Sequence, residues 1–497
     1  MSFKGPLADK YPSAVVLVVS ALVPYLVLST AITPLSKIIA ADVGLGTQGF
    51  QLTSGMANAA YAFGTVLAVQ LSAHLPGRRL LVFYALMFTL GSVLAAAAWT
   101  PGLFVAGRVM QGLCTSLMLI AAVPPLVTGW PSSRLPYTAA TMNMCVFGAV
   151  ALGPVIGGVQ AGSGHWRPLF WIVAGIGGLA TLFTLLTYED TPPQDRSAPW
   201  DLVSQLLAGV GSAAAFFGAS ELATHRLVSV IVMVPLLTGL AMIVLLVVHQ
   251  YAVENPLMPV RSLTTTFPVA GIITAMCAGA ASVAIIELAQ MSFMMRASPV
   301  HLGMLFWPEF GAAVFTAFAF GLAFRTRAVP LFAFIGLIML AGGAAVMTGL
   351  ASGSGAIVVV GSGLVGLGVG GSVAPALFTA GFSLKSTDLQ RVFALVELLR
   401  GAAAFIAAPI LLHMAVTVGG NPAAGTRTAI WVCLGIAAGG ALVAGYLFVL
   451  GRARLQKPDL DGWLAGDNPA IVSPPIAAGI RGDDPLPRRG GPSPVAD

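Results

Sequence analysis

Charged residues are scarce in this chain, and their scarcity excludes most soluble architectures. Asp, Glu, Lys and Arg make up 8% of the 497 residues, whereas a soluble globular domain carries about 25%. Hydrophobic residues make up 57%. Cysteine is also rare, and Cys114, Cys145, Cys277 and Cys433 all stand in apolar stretches. This placement argues against a disulfide framework and favours a membrane protein in which these thiols are small buried side chains.

Several catalytic and nucleotide-binding patterns are absent from the sequence. We find no Walker loop, no metalloprotease helix, no paired-cysteine metal site and no nucleophile elbow. The run Gly361-Ser362-Gly363-Leu364-Val365-Gly366 matches a dinucleotide-binding pattern, but it lies in an apolar stretch rather than between a strand and a helix. We therefore expect neither an enzyme nor an ATP-driven pump, with no cofactor and no metal.

Apolar stretches long enough to cross a bilayer fill the chain between residues 12 and 450. A hydrocarbon core of roughly 30 Å needs about 20 apolar residues in a helix. The alternation typical of an outer-membrane strand is absent, so the spans are expected to be helices. The sequence predicts an all-α polytopic membrane protein with these fourteen transmembrane helices: 12–36, 48–73, 79–98, 101–129, 136–160, 167–187, 200–220, 227–249, 268–293, 302–324, 329–349, 356–380, 389–417 and 426–450.

The distribution of basic residues predicts the orientation. With a cytoplasmic N-terminus, most Lys and Arg residues of the loops fall inside, and only Lys37, Arg167, Arg226, Arg296 and Arg427 fall outside. The positive-inside rule therefore predicts two cytoplasmic termini. The pI near 9.3 reflects this topology, and no nucleic-acid partner is implied. The first span is of full length with no cleavage site after it, so we expect it to stay in the membrane.

The spacing of the spans predicts four regions. These are an N-terminal six-helix bundle (1–187), a polar loop with two inserted helices (188–260), a C-terminal six-helix bundle (261–450) and a disordered cytoplasmic tail (451–497) rich in Pro, Gly and Asp. The two bundles are weakly similar, since Leu152-Gly153-Pro154 has a counterpart in Ala407-Ala408-Pro409. Internal repeats with a site at their interface are typical of transporters.

Two local motifs resemble those of a known family. The fourth span contains Arg108-Val109-Met110-Gln111-Gly112, and the fifth contains Gly148-Ala149-Val150-Ala151-Leu152-Gly153-Pro154-Val155-Ile156-Gly157-Gly158. Together they resemble the Arg-x-x-Gln-Gly and Gly-Pro-x-x-Gly-Gly motifs of the major facilitator superfamily, in its 14-helix drug:proton antiporter branch. The resemblance implies the major facilitator fold, with two six-helix bundles, two inserted helices and a monomeric protein. It also implies a bacterial inner-membrane location.

Both motifs also have a direct physical interpretation. A Gly-Pro pair bends a helix, and Gly148, Gly153, Gly157 and Gly158 around Pro154 permit a neighbouring helix to approach and slide, as a hinge requires. The alternative is a simple packing kink. Arg108 lies deep in a span, where an arginine normally faces a cavity or a partner. Its alternative role is to hold the next helix together with Gln111.

Proton coupling would need a carboxylate within the membrane, and the first span lacks the one usual in the family. The aligned stretch begins with Leu28. Glu287 and Glu309 lie at comparable depth when counted at 1.5 Å per residue, so one of them is expected to hold a proton at neutral pH, with Arg108 linking cavity and proton path. Alternatively, Glu287 bonds Gln290 or Arg296, and Glu309 sits near the outer surface.

A further set of residues is predicted to contact substrate. Glu397 is one of them, although an intrahelical pair with Arg400 is the alternative role for this carboxylate. The full set is Glu397, Gln111, Asn143, Tyr25 and Gln290.

The sequence thus predicts a secondary transporter that exports hydrophobic or amphipathic small molecules in exchange for protons. The missing first-span carboxylate leaves open a proton-independent lipid or metabolite facilitator of the same fold. A membrane receptor without transport activity is the third alternative, against which the antiporter motif argues.

Overall fold

The computed structural model describes residues 5–188, 193, 199–294, 296–466, 468–476 and 478–481. Within these residues fourteen helices are long and apolar enough to cross a membrane, which confirms the predicted all-α class. They are α1 (Tyr11–Val43), α2 (Thr47–His74), α3 (Gly77–Ala96), α4 (Pro101–Thr128), α5 (Ser132–Gly162), α6 (Arg167–Thr187), α7 (Leu202–Glu221), α8 (Val230–Ala252), α9 (Thr266–Phe293), α10 (Pro299–Ala323), α11 (Val329–Ser352), α12 (Gly355–Phe382), α13 (Ser386–Thr417) and α14 (Pro422–Leu450).

Successive helices run in opposite directions, so their ends form two faces. The face where α1 begins and α14 ends is called the terminal face, and the opposite face is called the far face. An even number of spans places both ends of the membrane region on the terminal face. The two termini were predicted to lie on the same side of the membrane, and this arrangement agrees with that prediction.

The helices pack as two groups of six with an inserted pair. α1–α6 form one group and α9–α14 the other, while α7 and α8 pack on each other and α7 lies against α2. Small residues permit these approaches: a Cβ added to Gly55 of α2 would lie 2.0 Å from Ser220 Oγ of α7. The predicted boundaries at 187/188 and 260/261 fall between helices and stay a proposal about domains.

The two groups touch along two seams. In the first, α2 packs on α13; in the second, α5 packs on α10 and reaches α12. The second seam includes a hydrogen bond from Asn143 Nδ2 to the Gly370 carbonyl at 2.9 Å. Immediately after Asn143, residues Met144–Gly148 form a π-helical turn within α5. Such turns insert one residue into a helix and change the direction of the side chains that follow.

The tail corrects one prediction. Residues from 451 were expected to be disordered, yet a short helix, α15 (Leu460–Leu464), packs on the terminal face. Trp463 is fully buried there, contacts the Phe382 ring, and donates from Nε1 to the Leu384 carbonyl at 2.9 Å. Further on, Thr266 donates to the Pro474 carbonyl at 2.9 Å. The composition predicted disorder wrongly because a few apolar anchors offset the cost of ordering this segment.

Two predictions fall largely on residues that the structure does not describe. One is the polar loop from Tyr188 to Arg196, of which only residues 188 and 193 are described. The other is the end of the tail, residues 482–497, which lies outside the described residues. After α15 the described tail also includes α16 (Ala478–Arg481).

Candidate functional site

A cavity of about 460 Å³ lies between the two helix groups. Its walls come from α1, α2 and α5 on one side and α9, α12 and α13 on the other, with the end of α7 completing the rim. The lining reaches the far face at Thr47, Ala223, Met294 and Val416, which stand at or near helix ends. The cavity therefore extends from the middle of the molecule to the far face.

The polar residues of α2 that line the cavity recur at helical spacing. Gln51, Ser54, Asn58 and Tyr61 all line it. Intervals of three and four residues place side chains on one face of a helix. This periodicity is the sequence signal that could have identified Asn58 and Tyr61 as cavity residues, and the sequence analysis missed it.

The floor of the cavity joins the two halves. The Tyr61 hydroxyl of α2 donates to Glu397 Oε1 of α13 at 2.8 Å. Arg400 Nε donates to Glu397 Oε2 at 2.9 Å, and a second guanidinium nitrogen contacts Oε1. Tyr25 stacks on Tyr61 with 6.1 Å between ring centroids. The intrahelical pair that was the alternative for Glu397 is thus present, and Arg400 rather than Glu397 faces the cavity.

Below this floor the seam is closed toward the terminal face. Gln390 Nε2 of α13 donates to Ser72 Oγ of α2 at 2.9 Å. Arg391 Nε donates to the Leu257 carbonyl at 2.8 Å in the segment between α8 and α9, and its Nη2 contacts the Pro256 carbonyl. The Ser72–Gln390 and Tyr61–Glu397 bonds cross the α2–α13 seam, so both must break before the seam can open on this side.

A small side chamber of about 40 Å³ adjoins the cavity and contains the predicted carboxylates. Glu287, Gln290 and Glu309 all line it, and Glu287 also lines the central cavity. Glu309 is 6% exposed, so its side chain is buried within the protein. Glu309 Oε2 and Gln290 Oε1 are buried without a hydrogen-bond partner. The chamber is large enough for a water molecule that would satisfy them.

Arg108 lies behind the cavity rather than in it. The side chain is 2% exposed and Nη1 donates to Gln111 Oε1 at 2.7 Å, while Gln111 Nε2 donates to Ser92 Oγ at 2.9 Å. The guanidinium carbon lies 5.2 Å from the centre of the Tyr25 ring. Tyr25 lines the cavity, whereas Arg108, Gln111 and Ser92 do not. Arg108 can therefore act on the cavity through its cation–π contact with Tyr25.

The glycines of the antiporter-like segment lie against two other helices. A Cβ added to Gly153 would lie 1.9 Å from Thr30 Oγ1 of α1, and one added to Gly157 would lie 2.3 Å from the Ala31 carbonyl oxygen. One added to Gly158 would lie 2.5 Å from the Pro299 carbonyl oxygen of α10. Gly148 differs, since its added Cβ would meet only the Met144 side chain of its own helix.

Thr30 also replaces a backbone hydrogen bond that Pro154 removes from α5. Proline has no N–H, so the Val150 carbonyl loses its partner four residues along the helix. The Thr30 hydroxyl donates to this carbonyl at 2.7 Å. Hydroxyl side chains commonly satisfy such freed groups in membranes. The hydrogen bond that α5 lacks at Pro154 is therefore replaced from α1, by a residue that lines both the cavity and the side chamber.

The predicted substrate residues separate into two groups. Tyr25 lines the cavity and Gln290 lines the side chamber. Gln111 and Asn143 are buried between helices and stand outside the lining of both, as does Glu397. In this conformation these three have no direct access to a molecule in the cavity, and their part in substrate recognition stays a prediction. Within the described residues no group of three or more His, Cys, Asp or Glu side chains could hold a metal ion.

Comparison with known proteins identifies what this architecture is similar to. A family model described as Major Facilitator Superfamily matches residues 17–326. An uncharacterized MFS-type transporter, YubD of Bacillus subtilis, is 30% identical over 201 residues, which are 40% of this chain and 39% of that protein. The Multidrug resistance protein B homolog of Mycobacterium tuberculosis is 31% identical over 189 residues, 37% of this chain and 34% of that protein.

These alignments span less than half of the length of either relative. Among solved structures, the human organic anion transporter MFSD10 superposes with a TM-score of 0.58 at 13% identity, covering 88% of this chain and 100% of that one. At that identity the superposition establishes the fold alone.

Proposed function

This chain belongs to the Major Facilitator Superfamily, and from that premise we propose that it exports hydrophobic or amphipathic small molecules by proton antiport with alternating access. The proposal rests on one observation, that Glu287 lines both the central cavity and the side chamber that contains Glu309. A single carboxylate is thereby exposed to a substrate on one side and to a second acidic group on the other. YubD and the structural neighbour MFSD10 are named as transporters, and no enzymatic activity is proposed.

Competition at Glu287 supplies the coupling. A carboxylate in a mostly apolar cavity is costly to keep ionised without a compensating charge. A proton or a cationic amphipath can provide that compensation, but both together cannot. Glu309 is buried with one oxygen unpartnered, which suits a proton store next to Glu287. Arrival of a proton at Glu287 would then release a cationic substrate.

The cavity is suited to apolar compounds of varied shape. Phe50, Phe405, Met291 and Met294 line it alongside the tyrosines. Methionine side chains adapt to irregular ligands, and such surfaces often bind several partners. The similarity to a multidrug resistance homolog supports the same substrate class. Glu287 favours cationic members of this class.

Direction follows from the proposed orientation. If the terminal face is cytoplasmic, as the basic residues predict, the cavity of this structure opens to the outside. Closure of the α2–α13 seam by Tyr61–Glu397 and Ser72–Gln390 then corresponds to the outward-facing state. A bacterial inner membrane with both termini in the cytoplasm is part of this proposal, as is a monomeric protein.

The proposal is tested by efflux of a lipophilic cationic dye from proteoliposomes with an imposed pH gradient. We expect Glu287→Gln and Glu309→Gln to reduce gradient-driven efflux by about a hundredfold, the lower end of the range for loss of a positioned proton-transfer group. Glu254→Gln, which changes an exposed carboxylate outside the spans, is the matched control. Gradient-driven efflux that is the same in all three variants as in the parent protein would contradict the assignment of the proton site.

A proton-independent facilitator remains the second candidate, because Leu28 stands fully buried where the family has an acidic residue. It predicts transport of the dye down its own concentration gradient at a rate that does not change when the pH gradient is abolished or reversed. Glu397→Gln serves as a further control, since it removes the negative charge paired with Arg400 at the cavity floor without touching either carboxylate of the side chamber.

A further inference from the structure

A second, larger cavity lies outside the central one. It is a lateral groove of about 750 Å³ between α5 and α10, with α1 at its back. None of its lining residues lines the central cavity. One helix separates the two spaces: Val146 and Phe147 face the central cavity, while Cys145 and Gly148 of the same π-helical turn face the groove.

The lip of the groove is apolar and exposed. Tyr137 is 64% exposed, Phe318 is 67% exposed and Leu322 is 84% exposed. In a protein that spans a membrane, exposed apolar side chains along a span contact hydrocarbon rather than water. The floor, at Cys145 and Ala317, is buried and nonpolar. An acyl chain is thus the group that matches the walls of the groove along the membrane.

The end of the groove at the terminal face is basic. Arg325 and Ser133 line the groove at this end. Arg325 lies two residues beyond the end of α10, and Ser133 lies at the start of α5. Arg325 is exposed and makes a long 3.5 Å donation to Ser132 Oγ, and in the part of the chain that is described it forms no salt bridge. A guanidinium at the edge of the hydrocarbon core lies at the level of lipid headgroups, where basic side chains attract anionic lipid.

We propose that the lateral groove binds an anionic phospholipid, with one acyl chain between α5 and α10 and the phosphate at Arg325. The inference does not depend on the transported substrate. It places a lipid directly behind the Met144–Gly148 turn, on the opposite side of α5 from the central cavity. Bound lipid would therefore contact Gly148, the first residue of the segment that is predicted to act as a hinge.

Native mass spectrometry of the full-length protein in detergent tests the proposal, with dioleoyl phosphatidylglycerol and dioleoyl phosphatidylcholine added in turn. We expect the parent protein to retain phosphatidylglycerol with an affinity about fivefold higher, the ratio that corresponds to roughly 1 kcal/mol for one basic residue near anionic lipid. Arg325→Gln should abolish this preference. Arg327→Gln removes the same charge two residues away and outside the groove, and it should leave the preference intact.

A second variant tests the apolar part. Ala140→Trp places a large side chain in the groove and should lower retention of both lipids. Equal effects of Arg325→Gln and Arg327→Gln would overturn the headgroup assignment, and unchanged retention in a folded Ala140→Trp protein would overturn the groove. A third outcome would make the groove a substrate path rather than a lipid site. In that outcome the lipophilic dye displaces phosphatidylglycerol, and Ala140→Trp lowers dye binding while lipid retention is unchanged.

The headgroup assignment can be decided even if the Ala140→Trp protein does not fold, because Arg325→Gln changes only an exposed side chain.

Discussion

At the scale of single residues, polar side chains of the membrane helices form hydrogen bonds to groups on neighbouring helices. Thr30 satisfies the carbonyl that Pro154 frees, and Tyr61 satisfies Glu397 beside Arg400. In hydrocarbon each such group would cost several kcal/mol without a partner. A buried ion pair is weak evidence for stability, because desolvation offsets much of its attraction. The Tyr61–Glu397–Arg400 group is better explained as a contact that holds the two halves in one conformation.

The Thr30 hydroxyl gives a prediction at this scale. Thr30→Val removes the donor and leaves the partly buried Val150 carbonyl without its partner, so we expect a loss of about 1 kcal/mol in unfolding free energy. Thr30→Ser keeps the hydroxyl and should retain most of the stability. Reversible denaturation in detergent micelles measures both. Equal stability of the Val and Ser variants would show that the carbonyl finds another donor.

At the scale of elements, α5 packs closely on helices of both six-helix groups. It packs on α1 through Gly153 and Gly157, on α10 through Gly158, and on α12 through Asn143. It also separates the central cavity from the lateral groove, with the π-helical turn in the dividing wall. Small residues let this helix approach its neighbours closely, and their role in a hinge stays a prediction. This combination explains why the glycine-rich motif lies on this helix.

Two glycines of the same helix make a matched pair for a test. Gly153→Ala would place a methyl group 1.9 Å from Thr30 Oγ1 and 2.6 Å from the Val27 carbonyl oxygen, so α1 and α5 must move apart. We expect a cost of about 1–3 kcal/mol in stability together with reduced transport. Gly148→Ala meets only the flexible Met144 side chain and should be tolerated. Thermal unfolding and dye efflux measure the two effects, and a Gly153→Ala protein indistinguishable from Gly148→Ala would contradict the packing role.

At the scale of the whole molecule, two six-helix groups enclose a cavity whose lining, among the described residues, extends to the far face. The seam between α2 and α13 is closed at the cavity floor by the Tyr61–Glu397 bond and below the floor by the Ser72–Gln390 bond. The described tail adds contacts on the same face, since α15 packs under α12 and also approaches Ser132–Arg134 of the first group. Opening toward the terminal face must therefore separate the α2–α13 seam and rearrange the tail contact with the first group.

Thiol labelling measures this accessibility. In a background without the four native cysteines, Gln51→Cys at the cavity mouth and Asn58→Cys near its floor should react with a membrane-impermeant reagent added on the far face. Ser72→Cys, below the floor on the same helix, should be protected from that side because Gln390 and the closed seam cover it. Asn58→Cys that reacts only from the face bearing the termini would contradict the observed direction of opening. A lipophilic substrate should slow labelling of Asn58→Cys.

The sequence alone determined the class of the protein and its outline. Long apolar runs make helices in lipid whatever their neighbours, so the count of spans follows from local chemistry. The Arg108–Gly112 and Gly148–Gly158 segments are likewise local patterns. Counting depth along α9 and α10 predicted that Glu287 and Glu309 lie near each other, and both line the side chamber. Their role as proton carriers stays a prediction.

Only the tertiary structure decided which faces of the helices meet. In the folded protein Tyr61 bonds Glu397, and Arg108 and Gln111 lie behind the cavity. Trp463 of the tail packs beneath α12. In a soluble protein, water would separate buried from exposed faces, and the pattern of polar residues would indicate which is which. In lipid the outer surface and the core are equally apolar, so packing of small residues and a few hydrogen bonds determines the arrangement. That information is distributed over distant segments of the chain, and no local pattern contains it.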